Sequence, residues 1–243
     1  MKYLMGLPFL CQGQGCDRCE DLYFEAGSWK LRHLVAVDDG FVFKKRSLVS
    51  PQSIDRAALA ASRDSIPLTI SKHALESAPA FEGQVPLSRA VELAALDHYR
   101  LSPYWISDSI EASSGMESGY PADDALPEEE DLPEVDPDLR SLKELLGYEL
   151  RNGENVLGEV RDLVLDLSDF TVAYVAVDTK PSKRGGLRLI ATGQEDVALS
   201  VDAASRCFRT KCSSYHLLES PSADLSEGRL TLGDQQKVDL SSY

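Results

Sequence analysis

Residues 4–31 lie over residues 145–172 without a gap, at a constant spacing of 141. Met5-Gly6 falls on Leu146-Gly147, Phe9 on Leu150, Asp21-Leu22 on Asp162-Leu163, Glu25 on Asp166, and Trp29-Lys30-Leu31 on Phe170-Thr171-Val172. After a one-residue slip, Ala36-Val37-Asp38 meets Ala176-Val177-Asp178. Further on, His73-Ala74-Leu75-Glu76-Ser77 meets His216-Leu217-Leu218-Glu219-Ser220. The chain reads as one unit of roughly 80 residues written twice, a duplication rather than a solenoid, which needs at least three copies.

Within a unit the local patterns are those of strands. Val160, Asp162, Val164 and Asp166 alternate with Arg161, Leu163, Leu165 and Leu167, and Val172–Val177 is a β-prone run ended by Asp178-Thr179. Arg151-Asn152-Gly153-Glu154-Asn155 and Ser168-Asp169 read as turns. Short strands at this spacing predict a small closed barrel or sandwich, so the fold class is mainly β with short helices. Residues 55–62 favour helix by propensity, but their counterpart Val197–Val201 favours strand, and both are assigned as strands. One helix is expected from Leu87 to Tyr99, with Ser88 as its N-cap.

The 243 residues carry a formal net charge of −15, from 25 basic and 40 acidic side chains. Residues 107–138 alone hold 12 acids, four prolines and no base. Residues 1–106 are balanced, and residues 139–243 net −3. A segment so charged and so poor in large apolar groups cannot repay its ordering entropy, and is expected to be an extended, disordered linker. The predicted organisation is a first domain at 1–106, the acidic linker at 107–138, a second domain at 139–225 and a C-terminal tail at 226–243. The overall acidity argues against nucleic acid as a partner, since such proteins displace counterions with a basic surface. That exclusion is weaker for the two near-neutral units.

No stretch approaches the ~18 apolar residues of a membrane span, so no membrane insertion is expected. Lys2 and the apolar run Tyr3–Cys11 could pass for a signal peptide, but no small-x-small site follows, and the repeat gives the segment a structural role. Five cysteines, an odd and unevenly spread number, make a poor disulfide framework and point to a reducing cytoplasm.

The stretches Leu142-Lys-Glu-Leu-Leu-Gly-Tyr-Glu-Leu, Leu157-Gly-Glu-Val-Arg-Asp-Leu and Val172-Ala-Tyr-Val-Ala-Val-Asp resemble the PRC-barrel domain. That family is named for the cytoplasmic part of the photosynthetic reaction-centre H subunit, and it also occurs in a ribosome maturation factor. The first copy is similar through Asp21-Leu-Tyr-Phe, Trp29-Lys-Leu-Arg-His-Leu-Val and Ser47-Leu-Val-Ser-Pro-Gln-Ser-Ile. The segment from Pro86 to Trp105 resembles the helix and aromatic end of two-barrel bacterial members. The resemblance implies two six-stranded barrels used as docking modules, with no catalytic group to carry over, no cofactor, and barrels that pair within a chain or as a homodimer. The first copy departs from the pattern where Asp17 stands for Gly158 and where Cys16 and Cys19 replace Leu157 and Val160. The second copy has Ala191-Thr192-Gly193 in place of a clear version of Ser50-Pro51.

Four features could carry chemistry. Cys11, Cys16 and Cys19 have the spacing of three iron–sulfur ligands, and Cys-x2-Cys is half a zinc site. The plainer reading makes them small buried hydrophobes. His73 and His216 share one repeat position, which suggests packing or hydrogen bonding. Lys183, Arg184 and Arg188 form the densest basic spot, and Lys44-Lys45-Arg46 is its counterpart; both read as contacts for an acidic partner or as solvated tips. Tyr99, Pro103, Tyr104 and Trp105 form an aromatic cluster that is either an interface anchor or a cap on the core. No phosphate-loop, dinucleotide or nucleophile-elbow motif is present. The leading expectation is a non-enzymatic cytoplasmic adaptor or assembly protein with unnamed protein partners. The alternatives are a metal- or redox-responsive protein using the three cysteines, and a small-ligand module with a pocket between the barrels.

Overall fold

A computed structural model describes residues 1–38, 44–62, 64–82, 87–105, 138–179, 186–226 and 229–232. The linker assignment therefore falls outside the described residues except at Asp138. In the first half, β1 (Pro8–Cys11), β2 (Gln14–Glu25), β3 (Leu31–Val37), β4 (Arg46–Val49), β5 (Ile66–Leu68) and β6 (Ala80–Phe81) form a sheet in the order β5-β1-β2-β3-β4-β6. Helices α1 (Arg56–Ala61), α2 (Lys72–Glu76) and α3 (Arg89–His98) accompany it. The chain then returns through β7 (Leu139–Ser141), which pairs with β2 of that same sheet, and the single turn α4 (Leu142–Leu145).

The second half comprises β8 (Glu149–Asn152), β9 (Asn155–Leu165), β10 (Val172–Asp178), β11 (Leu187–Ala191), β12 (Ser200–Asp202), β13 (Cys207–Arg209), α5 (Ser214–Glu219), β14 (Ser222–Ser226) and β15 (Arg229–Leu232). Its strands run β12-β13-β8-β9-β10-β11-β14-β15. The protein is mainly β. Both orders are open: among the described pairings none joins the ends of a sheet into a ring. The second sheet also runs past residue 225, because β15 pairs with β14 inside the stretch expected to be a tail.

All seven residues of β3 are buried, since both its faces are covered. Leu34 and Ala36 enter the main core, whereas Val35 packs with Tyr23, Leu48, Leu87, Ala95 and Leu139 in a second cluster that includes α3 residues. Ser88 caps α3 as expected, its hydroxyl accepting from the Val91 N–H at 3.4 Å. The strand expected over 55–62 is instead α1: Asp55 accepts from the Ala58 N–H at 3.0 Å, and the alanine-rich run follows its own propensity. Its counterpart becomes strand only at Ser200–Asp202. Three one-turn helices went unforeseen. Each opens on a serine, Ser71, Ser141 or Ser213, that accepts the N–H three residues on at 3.2 Å.

The halves meet through positions 141 apart. The buried Asp21 carboxylate accepts from Ser141 Oγ (2.5 Å) and the Lys143 N–H (3.2 Å), where the second half begins. Asp162 accepts from the Lys2 N–H at 2.7 Å, in the first half. The Leu31 N–H donates to the Phe170 carbonyl and the Val172 N–H to the Trp29 carbonyl, both at 2.8 Å, with Lys30 bridged to Thr171 between them. Trp29 and Phe170 turn at φ of 61° and 60°, in the left-handed region that most side chains avoid. That turn places the Trp29 ring between Phe24 and Phe208, with ring centroids 6.0 and 6.2 Å away. One hydrophobic cluster, from Leu4 and Phe9 to Leu145 and Phe208, runs through both halves.

Candidate functional site

A cleft of about 630 Å³ opens where the halves meet. β2, β3, β4 and β6 contribute Glu20, Tyr23, Val35, Arg46 and Phe81 to one side. Lys143 and Glu144 of α4, with Tyr148 and the β12–β13 turn residues Ala203 and Arg206, supply the other. The seam itself positions these groups, because Asp21 at the floor fixes the start of α4. Glu20 joins the two walls: it accepts from Arg46 Nε at 2.5 Å and pairs with Lys143 at 3.2 Å. The Arg46 hydrogen bond, aided by Lys143, holds the Glu20 carboxyl below the usual carboxylate range. Burial pushes the Asp21 carboxyl up, despite its three hydrogen bonds, and pushes the Tyr23 hydroxyl up as well.

On the second wall the Tyr148 hydroxyl donates to Glu144 Oε1 at 3.0 Å, and the Arg206 guanidinium sits 5.5 Å from the Tyr148 ring centroid. The lining thus combines paired charges with the aromatic side chains of Tyr23, Phe81 and Tyr148.

The aromatic exit cluster is largely spent inside the first half. Pro103 is buried, and Tyr99, Tyr104 and Trp105 are half-buried. Tyr104 donates to Glu92 at 2.8 Å and accepts from Arg89 at 2.9 Å, while Arg32 stacks over its ring at 4.0 Å. Arg89 lies 4.1 Å over Trp105. His33 and Glu92, only 1% and 0% exposed, share a 2.8 Å contact at the centre of this network. Sequence reasoning missed the pair, since 59 residues separate its members. The one available signal was a glutamate on the apolar face of α3.

The three candidate metal-ligating cysteines are not brought together as thiolates. Cys11 and Cys16 form a disulfide across the β1–β2 hairpin, which corrects the expectation of a poor disulfide framework. Cys19 is buried and reduced, and burial raises its thiol pKa. Among the described residues no cluster of three or more His, Cys, Asp or Glu side chains could hold a metal ion. Of the packing or hydrogen bonding expected at His73 and His216, packing is corrected, since both side chains are exposed; what the two positions share is a backbone carbonyl accepting from Ser77 and Ser220.

Lys183 and Arg184 lie outside the described residues. Arg188 donates to the Ser220 carbonyl at 3.1 Å, tying β11 to the end of α5. Arg46 is committed to Glu20. No described helix is long and apolar enough to cross a membrane. Against known proteins, no family model matches the chain, and no curated protein matches it.

Proposed function

We propose that this chain is a non-enzymatic docking protein, an adaptor or assembly factor, built from two copies of a PRC-barrel-like unit and working on other proteins. The observation that carries the reading is the cleft, whose opposing walls come from the two halves and are linked by Glu20 bridging Arg46 and Lys143. A recess walled by both halves gives a reason for a duplicated unit to stay on one chain. A lining that combines aromatic side chains with paired charges matches the anatomy of protein interfaces. The hydrogen bonds repeated at a spacing of 141 support the duplication, and the resemblance of Leu142–Leu150 and Val172–Asp178 supports the family. The buried histidine–carboxylate pair His33–Glu92 has no exposure through which a substrate could reach it, which favours binding over catalysis.

The test is affinity capture with the full chain, followed by reconstitution with the purified partner. A partner that binds the purified chain at micromolar affinity or better, and loses affinity when the cleft is altered by Lys143→Glu, supports the reading. Failure of every captured protein to bind in purified form overturns it.

A further inference from the structure

One sheet edge is covered in the first half and bare in the second. On β2, Tyr23, Phe24 and Glu25 pair antiparallel with Ser141, Arg140 and Leu139 of β7, and the Ala26 N–H donates to the Asp138 carbonyl at 2.8 Å. The positions 141 further on are Val164, Leu165, Asp166 and Leu167, at the end of β9. There β8 has already stopped, its pairing reaching only Glu159, and no other described strand takes that edge. Tyr23 and Phe24 are buried, whereas Val164 and Leu165 are half-buried. The adjoining sheet face shows the same contrast. Tyr23, Val35 and Leu48 are sealed by Leu87, Ala95 and β7 Leu139. Their register counterparts Val164, Ala176 and Leu189 meet only Ala223, and Val164, Tyr174 and Leu187 stay half-buried. Asp21 accepts the Ser141 hydroxyl at Oδ2, while among the described residues Asp162 accepts at Oδ1 alone.

The segment that covers β2 reads Asp138-Leu139-Arg140-Ser141, and Asp-Leu-x-Ser occurs once more in the chain, as Asp239-Leu240-Ser241-Ser242. That second occurrence lies beyond β15, outside the described residues. We propose that residues 239–242 of a second copy of this chain add to the free edge of β9 as β7 adds to β2, Leu240 joining Val164 as Leu139 joins Tyr23, and Ser242 supplying the hydroxyl for Asp162. The proposal does not depend on the cleft, which Val164, Leu165 and Tyr174 do not line. Length selects a second copy. Successive pairings set Leu232 level with Ala223, Leu187, Asp178 and Glu159, which is four strands from β9 and seven residues short of Asp166. The free edge is then about 33 Å away over the sheet, at ~4.8 Å per strand and ~3.3 Å per residue. Leu240 follows Leu232 by eight residues, which reach only about 28 Å fully extended and leave nothing for the reversal into an antiparallel strand. Two copies exchanging these segments make two equal contacts about a twofold axis, a closed assembly.

The test is the mass of the full chain by sedimentation across a concentration series. The parent should form a dimer that dissociates on dilution, and Leu240→Asp, which puts a charge into the apolar contact, should weaken it about tenfold or more. Val164→Lys should do the same from the edge. Mixing the two variants should restore a one-to-one complex, because one intact tail then meets one intact edge. Should Val164→Lys not fold, hydrogen exchange decides: the Leu167 N–H, counterpart of the Ala26 donor, should exchange about tenfold faster in Leu240→Asp than in the parent. A parent that stays monomeric at about 100 μM, a dimer indifferent to Leu240→Asp, or variants that ignore each other when mixed overturns the proposal. Leu240-dependent protection of Leu167 in a monomeric parent also overturns it, in favour of the chain's own tail. Protection of Leu167 that appears only with a different protein bound overturns it in favour of that protein.

Discussion

Asp21 and Asp162 are exchanged caps. Each carboxylate sits in the long strand of its own half, β2 or β9, and accepts the backbone N–H of a lysine near the start of the other half, Lys143 for Asp21 and Lys2 for Asp162. Each also accepts from the next residue of its own strand, Leu22 or Leu163. Stability of one half is thus written into the other. Replacing Asp21 with alanine leaves Ser141 Oγ and two N–H groups without their acceptor, and the expected loss is about 2–3 kcal/mol. Urea unfolding should show a lower midpoint with a single transition, both halves melting together; a first half that melts alone would contradict the coupling.

The two carboxylates at the cleft should give opposite pH responses. Glu20, held below its ordinary range by Arg46 and Lys143, contributes stability that is full above its unfolded pKa and is lost as pH falls through the lower folded value. Asp21, raised by burial, works in the other sense: its contribution weakens as pH climbs from the ordinary carboxylate range through the raised folded value. Glu20→Gln should therefore cost about 1 kcal/mol near neutrality and little in acid, measured as the difference from the parent across a pH series of chemical unfolding. A cost that stays constant or grows on acidification would contradict the assignment.

Gly158 admits no side chain. A Cβ there would stand 2.6 Å from the Asp178 carbonyl oxygen and from Val177 Cγ1. Gly158→Ala should destabilise by about 2–3 kcal/mol through overpacking against backbone that cannot retreat, read from denaturant midpoints at an unchanged m-value. A stability within ~0.5 kcal/mol of the parent would show that β9 and β10 can separate locally at this point.

Thiol titration should resolve the cysteines in three steps. The native protein should react slowly, because Cys19, Cys207 and Cys212 are all buried. Denaturation without reductant should reveal these three thiols, and reduction should release the pair from Cys11–Cys16. The disulfide closes a short loop, so breaking it should cost about 2 kcal/mol. Five reactive thiols in the denatured, unreduced protein would show the bond to be absent.

Removing Glu92 should be among the most damaging single changes. Glu92→Ala removes the carboxylate that partners the buried His33 and accepts from the Tyr104 hydroxyl, with an expected cost of about 3–5 kcal/mol. Loosening of Tyr104 and Trp105 should accompany it as a red shift in tryptophan emission. An unshifted spectrum in a destabilised variant would place Trp105 outside this network.

Individual strands and one helix were readable because the residues that mark them are close in sequence. The run at 172–177 appears as β10, the alternation at 160–167 appears as β9 except that the strand stops at Leu165, and the helix with its Ser88 cap appears as α3. Residues 55–62 were misread for a physical reason: alignment with a strand-forming counterpart overrode an alanine propensity that the Asp55 cap makes decisive. The one-turn helices are too short for periodicity, and only their serine caps mark them. An odd cysteine count hid the disulfide. The cleft was invisible residue by residue, since Glu20, Arg46 and Lys143 lie on three separate elements. Its floor left a trace nonetheless, in aspartates occupying matched positions of two strands whose neighbours are core.

The Ala26 N–H donates to the Asp138 carbonyl at 2.8 Å, and β7 continues from there onto β2. Two residues 112 apart in sequence are thus clasped side by side, at a joint that the Asp21 and Asp162 contacts also hold. These contacts, rather than the covalent connection, are expected to hold the joint. A chain severed between Trp105 and Asp138 by a protease should persist as a two-fragment complex that elutes as one species, and the stretch can take insertions or drift in sequence while the seam stays fixed.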